Sequence, residues 1–161
     1  MIFIKTFLES LKLPNKQALF RLNRVGMDIV VIYMFILILL ASVPSLVSQI
    51  EANSVSDMNM NVFFLLIYFF IFYYLPVTVF IFGLLSLVAY AGVGIANLLK
   101  RKLRFAILWK MTAFTSTIPL ILFTILTFFL DIPTYFFWIA IIYILIMLVR
   151  MITIYPKRVQ K

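Results

Sequence analysis

The chain alternates long apolar stretches with short polar ones, on a length scale that matches membrane crossings. Three of these stretches, residues 29–47, 113–130 and 136–151, are each close to the length of one span. A helix rises about 1.5 Å per residue, so about 20 residues cover the ~30 Å hydrocarbon core of a bilayer. A fourth uncharged stretch, residues 62–99, is nearly twice that length. The pattern predicts an all-α, polytopic membrane helical bundle.

The positions of the basic residues decide how often the long stretch crosses. The fourteen Lys and Arg residues fall into three groups, and the polar stretches 48–61 and 131–134, predicted as loops, contain none. A single crossing places all three groups on one side, as the positive-inside rule requires. A double crossing would move the densest group outward, at about 2.3 kcal/mol per charge per 100 mV. We therefore expect four crossings with both termini in the cytoplasm.

Pro76 is the expected break in the long stretch, because proline removes a helix hydrogen bond. On this interpretation residues 77–98 form the span. The aromatic residues 62–75 then form a half-inserted helix at the outer interface, where aromatic rings accumulate. A single long, tilted and kinked helix is the alternative. The sequence leaves open whether residues 62–75 span, lie at the interface or re-enter.

Residues 1–27 precede the first span and are predicted to form a cytoplasmic interfacial region. Four apolar residues recur there at helical spacing opposite polar ones, which is typical of an amphipathic helix lying in the membrane interface. They are Ile4, Phe7, Leu8 and Leu11. Pro14 ends this helix. The alternative is a flap packed on the protein's own loops.

Composition places the whole chain, residues 1–161, in one membrane domain. Apolar residues make up 66% and charged residues 12%, whereas soluble domains have about 45–50% and about 25%. Cysteine and histidine are absent, which excludes disulfides, thiolate metal sites and imidazole chemistry. The net charge of +9 follows from the positive-inside rule, so no nucleic-acid partner is expected. We predict no catalytic, cofactor or metal site, and no enzymatic activity.

Two groups of residues are candidates for contacts with lipid or protein. The first is a basic cluster, which would attract anionic head groups by about 1 kcal/mol per close charge, although orientation of the chain also explains it. The cluster consists of Lys100, Arg101, Lys102 and Arg104. The second group consists of Ala89, Gly92 and Ala96, small residues that permit close helix packing.

The third predicted span carries a group of hydroxyl residues around a proline. Its members are Thr115, Ser116, Thr117, Pro119, Thr124 and Thr127. Hydroxyls near a proline can satisfy the carbonyls that it frees, so a kink inside a bundle is the simpler interpretation. The alternative is a polar lining for a transported solute.

Two parts of the sequence resemble a widespread uncharacterised membrane family of Gram-positive bacteria, a domain of unknown function often labelled maltodextrin utilisation protein. The first is "FLESLKLPNKQALFRLNRVG", leading into a span that ends "SVPS"; the second is "AYAGVGIANLLKRKLRFAILWKMTAFTSTIPLIL". A looser similarity extends to the Yip superfamily. Members usually carry a sizeable extracytoplasmic insert after the first span, where this chain has about fourteen residues. The resemblance implies a multi-spanning accessory protein.

Three functions are compatible with these features. The first is a non-catalytic accessory or scaffold protein of the bacterial cytoplasmic membrane, which contacts anionic lipid and binds another membrane protein or itself. The second is a small transport component, either a transporter subunit or an oligomeric channel. The third, a lipid-handling enzyme, is disfavoured because no ionisable group is expected in mid-span.

The four-crossing topology predicts that a single cysteine introduced beside Arg101 is protected from a membrane-impermeant thiol reagent in intact cells. The chain has no other cysteine to react, and the same position should label after the membrane is permeabilised. Labelling in intact cells would contradict the topology.

Overall fold

The computed structural model describes residues 2–55, 61–101, 103–130 and 135–156, which are almost entirely helical and contain no extended sheet. The helices are α1 (Ile2–Leu11), α2 (Lys16–Asn23), α3 (Met27–Val55), α4 (Val62–Phe69), α5 (Leu75–Leu98), α6 (Phe105–Thr115), α7 (Thr117–Phe129) and α8 (Tyr135–Ile154), with a π-helical turn (Phe70–Tyr74) between α4 and α5. Four helical runs are long and apolar enough to cross a membrane: Met27–Ser54, Val62–Leu98, Phe105–Phe129 and Tyr135–Ile154. The predicted all-α fold with four such helices is confirmed. The predicted outer turn at 131–134 and Lys102 lie outside the described residues.

Helix α3 is longer than the first predicted span and continues to Val55. The prediction of a loop was therefore wrong for residues 48–55, and residues 56–60 lie outside the described part of the chain. The segment is polar but contains no glycine or proline, so the helix gains a hydrogen bond with each added residue. Pro44 lies inside the helix without ending it.

The structure does not show the break expected at Pro76. The helix runs without interruption over 37 residues, and the π-helical turn directly precedes the proline. Within that turn the Leu75 N–H donates to the Phe70 carbonyl, five residues back. Pro76 follows this turn as the second residue of α5, and a local π-helical adjustment of this kind lets a membrane helix accept a proline without breaking. The single long helix, stated above as the alternative, is the observed form.

The third run begins at Phe105 instead of residue 113 and is interrupted at Ser116. The interruption places Pro119 in the first turn of α7, where helices accept proline. Lys110 therefore lies inside a helix. The charge of Lys110 interrupts the apolar pattern, so hydropathy places the start of this span at residue 113 and not at Phe105.

Helix α6 lies at the centre of the molecule, in contact with α2, α3, α5 and α8. Its last turns are buried, and Phe114 packs its ring 5.8 Å from that of Tyr33 on α3. On α5, the Ser86 hydroxyl accepts a 3.1 Å hydrogen bond from the Trp109 indole N–H. The core is thus formed where the neighbouring helices pack around α6.

The N-terminal helices and the end of α8 meet at one end of the bundle, which we call the basic end. The rings of Phe20 on α2 and Tyr155 after α8 are 5.6 Å apart, and burial raises the pKa of Tyr155 to about 12. The alternating helix directions bring the turn between α5 and α6 to the same end. The three groups of basic residues, as far as the structure describes them, are therefore gathered there.

Candidate functional site

Two residues of the basic cluster, Lys100 and Arg101, lie in the turn that ends α5, and Arg104 directly precedes α6. The Lys100 N–H donates to the Asn97 carbonyl at 3.0 Å and the Arg101 N–H to the Ala96 carbonyl at 2.8 Å. This is the Schellman arrangement, whose left-handed position is usually glycine; here Lys100 occupies it with φ 54°. A basic residue at this position is favoured by the negative end of the helix dipole. Lys100 is therefore part of a tight turn, and the side chains of Lys100 and Arg104 are exposed.

The small residues of α5 pack within the chain itself. Ala89, Gly92 and Ala96 are buried, and a Cβ atom at Gly92 would lie 2.6 Å from Cδ2 of Leu148 on α8. Leu148 is fully buried. This surface brings α5 against its own neighbours and is not free to bind a partner.

Replacing Gly92 with leucine is expected to lower the Tm of the purified protein by several degrees, because the new side chain overlaps Leu148. Overpacking of this kind costs about 1–3 kcal/mol, and each kcal/mol shifts the Tm by about 2–4 °C in a chain of this size. The matched control is Gly94→Leu, since a Cβ at Gly94 meets nothing within 4 Å among the described residues. Equal melting temperatures of the two variants in the same detergent would contradict this packing.

Four of the five hydroxyls around Pro119, all but that of Thr117, are directed at the helix backbone. The Thr115 hydroxyl donates to the Met111 carbonyl at 2.8 Å and the Ser116 hydroxyl to the Ala113 carbonyl at 2.7 Å. Both residues are buried. Further along, Thr124 and Thr127 donate in the same way to carbonyls four residues back. This is the pattern of a proline-associated helix interruption with satisfied hydroxyls.

A buried group of three hydroxyls joins α1, α3 and α7, and we call it the hydroxyl junction. The Tyr33 hydroxyl lies 2.8 Å from the Thr117 hydroxyl and 3.2 Å from that of Ser10. Ser10 also donates to the Phe7 carbonyl at 2.7 Å. Buried polar groups need such partners, because an unmade hydrogen bond costs about 1–3 kcal/mol. The junction fixes α1 against the bundle.

Lys110 attaches α2 to α6 near the basic end. Its ammonium donates to the Asn23 carbonyl at 2.6 Å and to the Val25 carbonyl at 3.0 Å. Asn23 is the last residue of α2, where helix carbonyls lack partners and a cation is favoured. A lysine inside the apolar run Phe105–Phe129 is thus paired with the end of another helix. Sequence reasoning missed this contact, for which the only signal was a single lysine inside an apolar run.

Replacing Lys110 with methionine is expected to destabilise the attachment of α2 and to speed tryptic cleavage after Arg21 and Arg24 several-fold in detergent. Hydrogen bonds from charged groups are worth about 1.5–3 kcal/mol each, and part of that is offset because a half-buried cation is removed. The matched control is Arg104→Met, which removes one charge at the N-terminal end of α6 from an exposed side chain. Equal cleavage rates in the two variants would contradict the role given to Lys110.

The first half of the longest helix exposes a row of aromatic side chains that we call the aromatic face. It consists of Phe63, Phe64, Tyr68 and Phe72, which are 65%, 61%, 53% and 66% exposed. Tyr68 and Phe72 stack with ring centroids 4.9 Å apart. On the opposite side of α4, Leu65 and Phe69 are buried. The helix is therefore anchored by one side and presents the aromatic face outward.

The described residues contain no group of His, Cys, Asp or Glu side chains that could hold a metal ion. Asp28 and Glu51 are exposed, and Glu9 forms an ion pair.

The fold and these sites define an all-helical protein with four helices that can cross a membrane. A protein family of unknown function, DUF1189, matches residues 45–152, and the chain belongs to this family. No curated protein and no solved structure matches the chain.

The family match confirms the resemblance to an uncharacterised family. It does not show the maltodextrin label or the relation to the Yip superfamily. The match begins inside α3 and includes the small residues, the basic cluster and the hydroxyls around Pro119. Helices α1 and α2 precede the matched residues.

Proposed function

We propose that this chain is a non-catalytic accessory or scaffold protein of the bacterial cytoplasmic membrane, which binds another membrane protein through the aromatic face. Both termini lie in the cytoplasm on this proposal, because that orientation keeps the basic end inside. The observation that carries the proposal is the exposed aromatic surface on an unusually long apolar helix.

The length of that helix supports a protein partner. Its 37 residues correspond to about 55 Å, compared with a hydrocarbon core of ~30 Å. Even at the ~40° upper limit of common tilts, about 42 Å remains along the membrane normal. Some of its apolar surface then extends beyond the hydrocarbon, and large aromatic side chains are enriched in protein interfaces.

The polar groups of the bundle favour this proposal over transport or catalysis. Thr115, Ser116 and Thr117 are at most 3% exposed, and their hydroxyls bond to carbonyls or to Tyr33. Such side chains do not line an open path. A transport component is therefore the second candidate, and a lipid-handling enzyme the third.

Contact with anionic lipid is proposed for the exposed Lys100 and Arg104 of the basic cluster.

The test is photocrosslinking in cells followed by purification in mild detergent. A photoreactive amino acid at Phe72 is expected to capture one defined membrane protein, which also copurifies stoichiometrically with the unmodified chain. The control position is Ile142 on α8, which is 55% exposed and is expected to yield lipid adducts only.

Two outcomes would contradict the accessory function. Equal capture from Phe72 and Ile142 would show that the aromatic face has no special role. A lone homo-oligomer that conducts solute in liposomes would support the transport component instead.

A further inference from the structure

Helix α1 has three faces in the structure, where its sequence indicated two. Thr6 and Ser10 are buried against the bundle, and the apolar residues Ile4 and Leu8 are exposed. The third face carries charged residues spaced four and three apart. They are Lys5 and Glu9, followed by Lys12 in the turn directly after the helix. The hydroxyls thus serve for docking, which leaves the charged residues as a separate surface.

This charged face forms one wall of a groove between α1 and α2. The groove has a volume of about 460 Å³ and is lined by Lys5, Glu9, Lys12 and Arg21, with apolar Ile2 and Leu22 beside them. A Glu9–Arg21 ion pair at 2.8 Å joins the two walls. Ligand sites commonly have about 300–1,000 Å³, so the space accommodates a small head group.

Hydrogen bonds cap α2 at its start and attach it to α6 at its end. At its start, the Asn15 side chain accepts a hydrogen bond from the Gln17 N–H at 3.1 Å. At its other end, Lys110 holds the Asn23 and Val25 carbonyls. The hydroxyl junction fixes α1. The charged side chains of the groove therefore project from two helices, α1 and α2, that are both fixed in place.

Three cations and one carboxylate line the groove, which leaves an excess of positive charge. Within the described residues, the Glu9–Arg21 contact is the only ion pair, so Lys5 and Lys12 have no carboxylate partner there. The Arg21 side chain remains 68% exposed and can make further contacts. A concave surface lined by one sign of charge concentrates ions of the other sign.

The apolar face of α1 places this groove beside lipid. A helix that lies in the membrane interface buries its apolar face about 5–10 Å into the boundary between head groups and acyl chains. Leu8 is 51% exposed and also lines the groove, so the charged and apolar surfaces are continuous. A ligand that joins a phosphate to an acyl chain would match both the charged surface and the apolar surface.

We propose that the groove between α1 and α2 binds the phosphate head group of an anionic phospholipid from the surrounding leaflet. Lys5 and Lys12 contact the phosphate, and Glu9 positions Arg21 as a third cationic contact. The acyl chains lie along the apolar face of α1. This site does not depend on the accessory function or on the aromatic face.

The test uses the full chain in a neutral detergent, titrated with phosphatidylglycerol and observed by native mass spectrometry. The Lys5→Gln/Lys12→Gln double variant is expected to bind the lipid about 30-fold more weakly, because it removes two close charges. The matched control, Lys16→Gln/Arg24→Gln, removes two exposed charges of the same N-terminal region that do not line the groove. It is expected to bind like the wild type, and equal Tm values show that both variants are folded.

Three results would overturn the proposal. Equal weakening in both double variants would show a general effect of net charge. Equal binding of phosphatidylcholine would show that the anionic head group is not recognised. Displacement of the lipid by millimolar glycerol 3-phosphate, with the same dependence on Lys5 and Lys12, would identify a soluble phosphate compound as the ligand.

Discussion

The structure depends on the cost of placing charge in hydrocarbon. Basic residues are gathered at one end of the bundle, and the helices are long and apolar beyond it. Lys110 tests this constraint, because it lies inside an apolar run. Its ammonium reaches the carbonyls of Asn23 and Val25. The N-terminal segment therefore supplies the polar surface that a cation at this depth requires.

The same constraint explains which parts of the fold were predictable. Hydropathy identifies four runs because each must fill the bilayer, and the distribution of Lys and Arg assigns one crossing to the longest. Helix ends are less predictable where polarity and helix formation disagree. Residues 48–55 are polar yet helical, and Lys110 is charged yet inside α6. In both places the end of the helix is determined by backbone hydrogen bonding and tertiary contacts, and hydropathy contains no information about either.

The sites were less predictable than the fold because small polar residues have several possible uses. Ser10 lies among the polar residues opposite the apolar positions of the predicted interfacial helix, but it is buried against Tyr33. Thr117 was a possible lining residue, and it bonds the same tyrosine across 84 positions of sequence. Such partners become adjacent only in the folded bundle. The basic groove follows from these contacts, since docking of α1 through its hydroxyls decides where Lys5 and Lys12 project.

The π-helical turn before Pro76 has a consequence for the membrane around the protein. By keeping α4 and α5 in one continuous helix, it produces a large hydrophobic mismatch with a bilayer of ordinary thickness. Each ångström of mismatch costs a fraction of a kcal/mol, through stretched or thickened lipid. When two proteins lie side by side, they share part of the ring of deformed lipid around them, which lowers the total elastic energy. A membrane helix of this length therefore favours thicker membrane regions over bilayers of ordinary thickness.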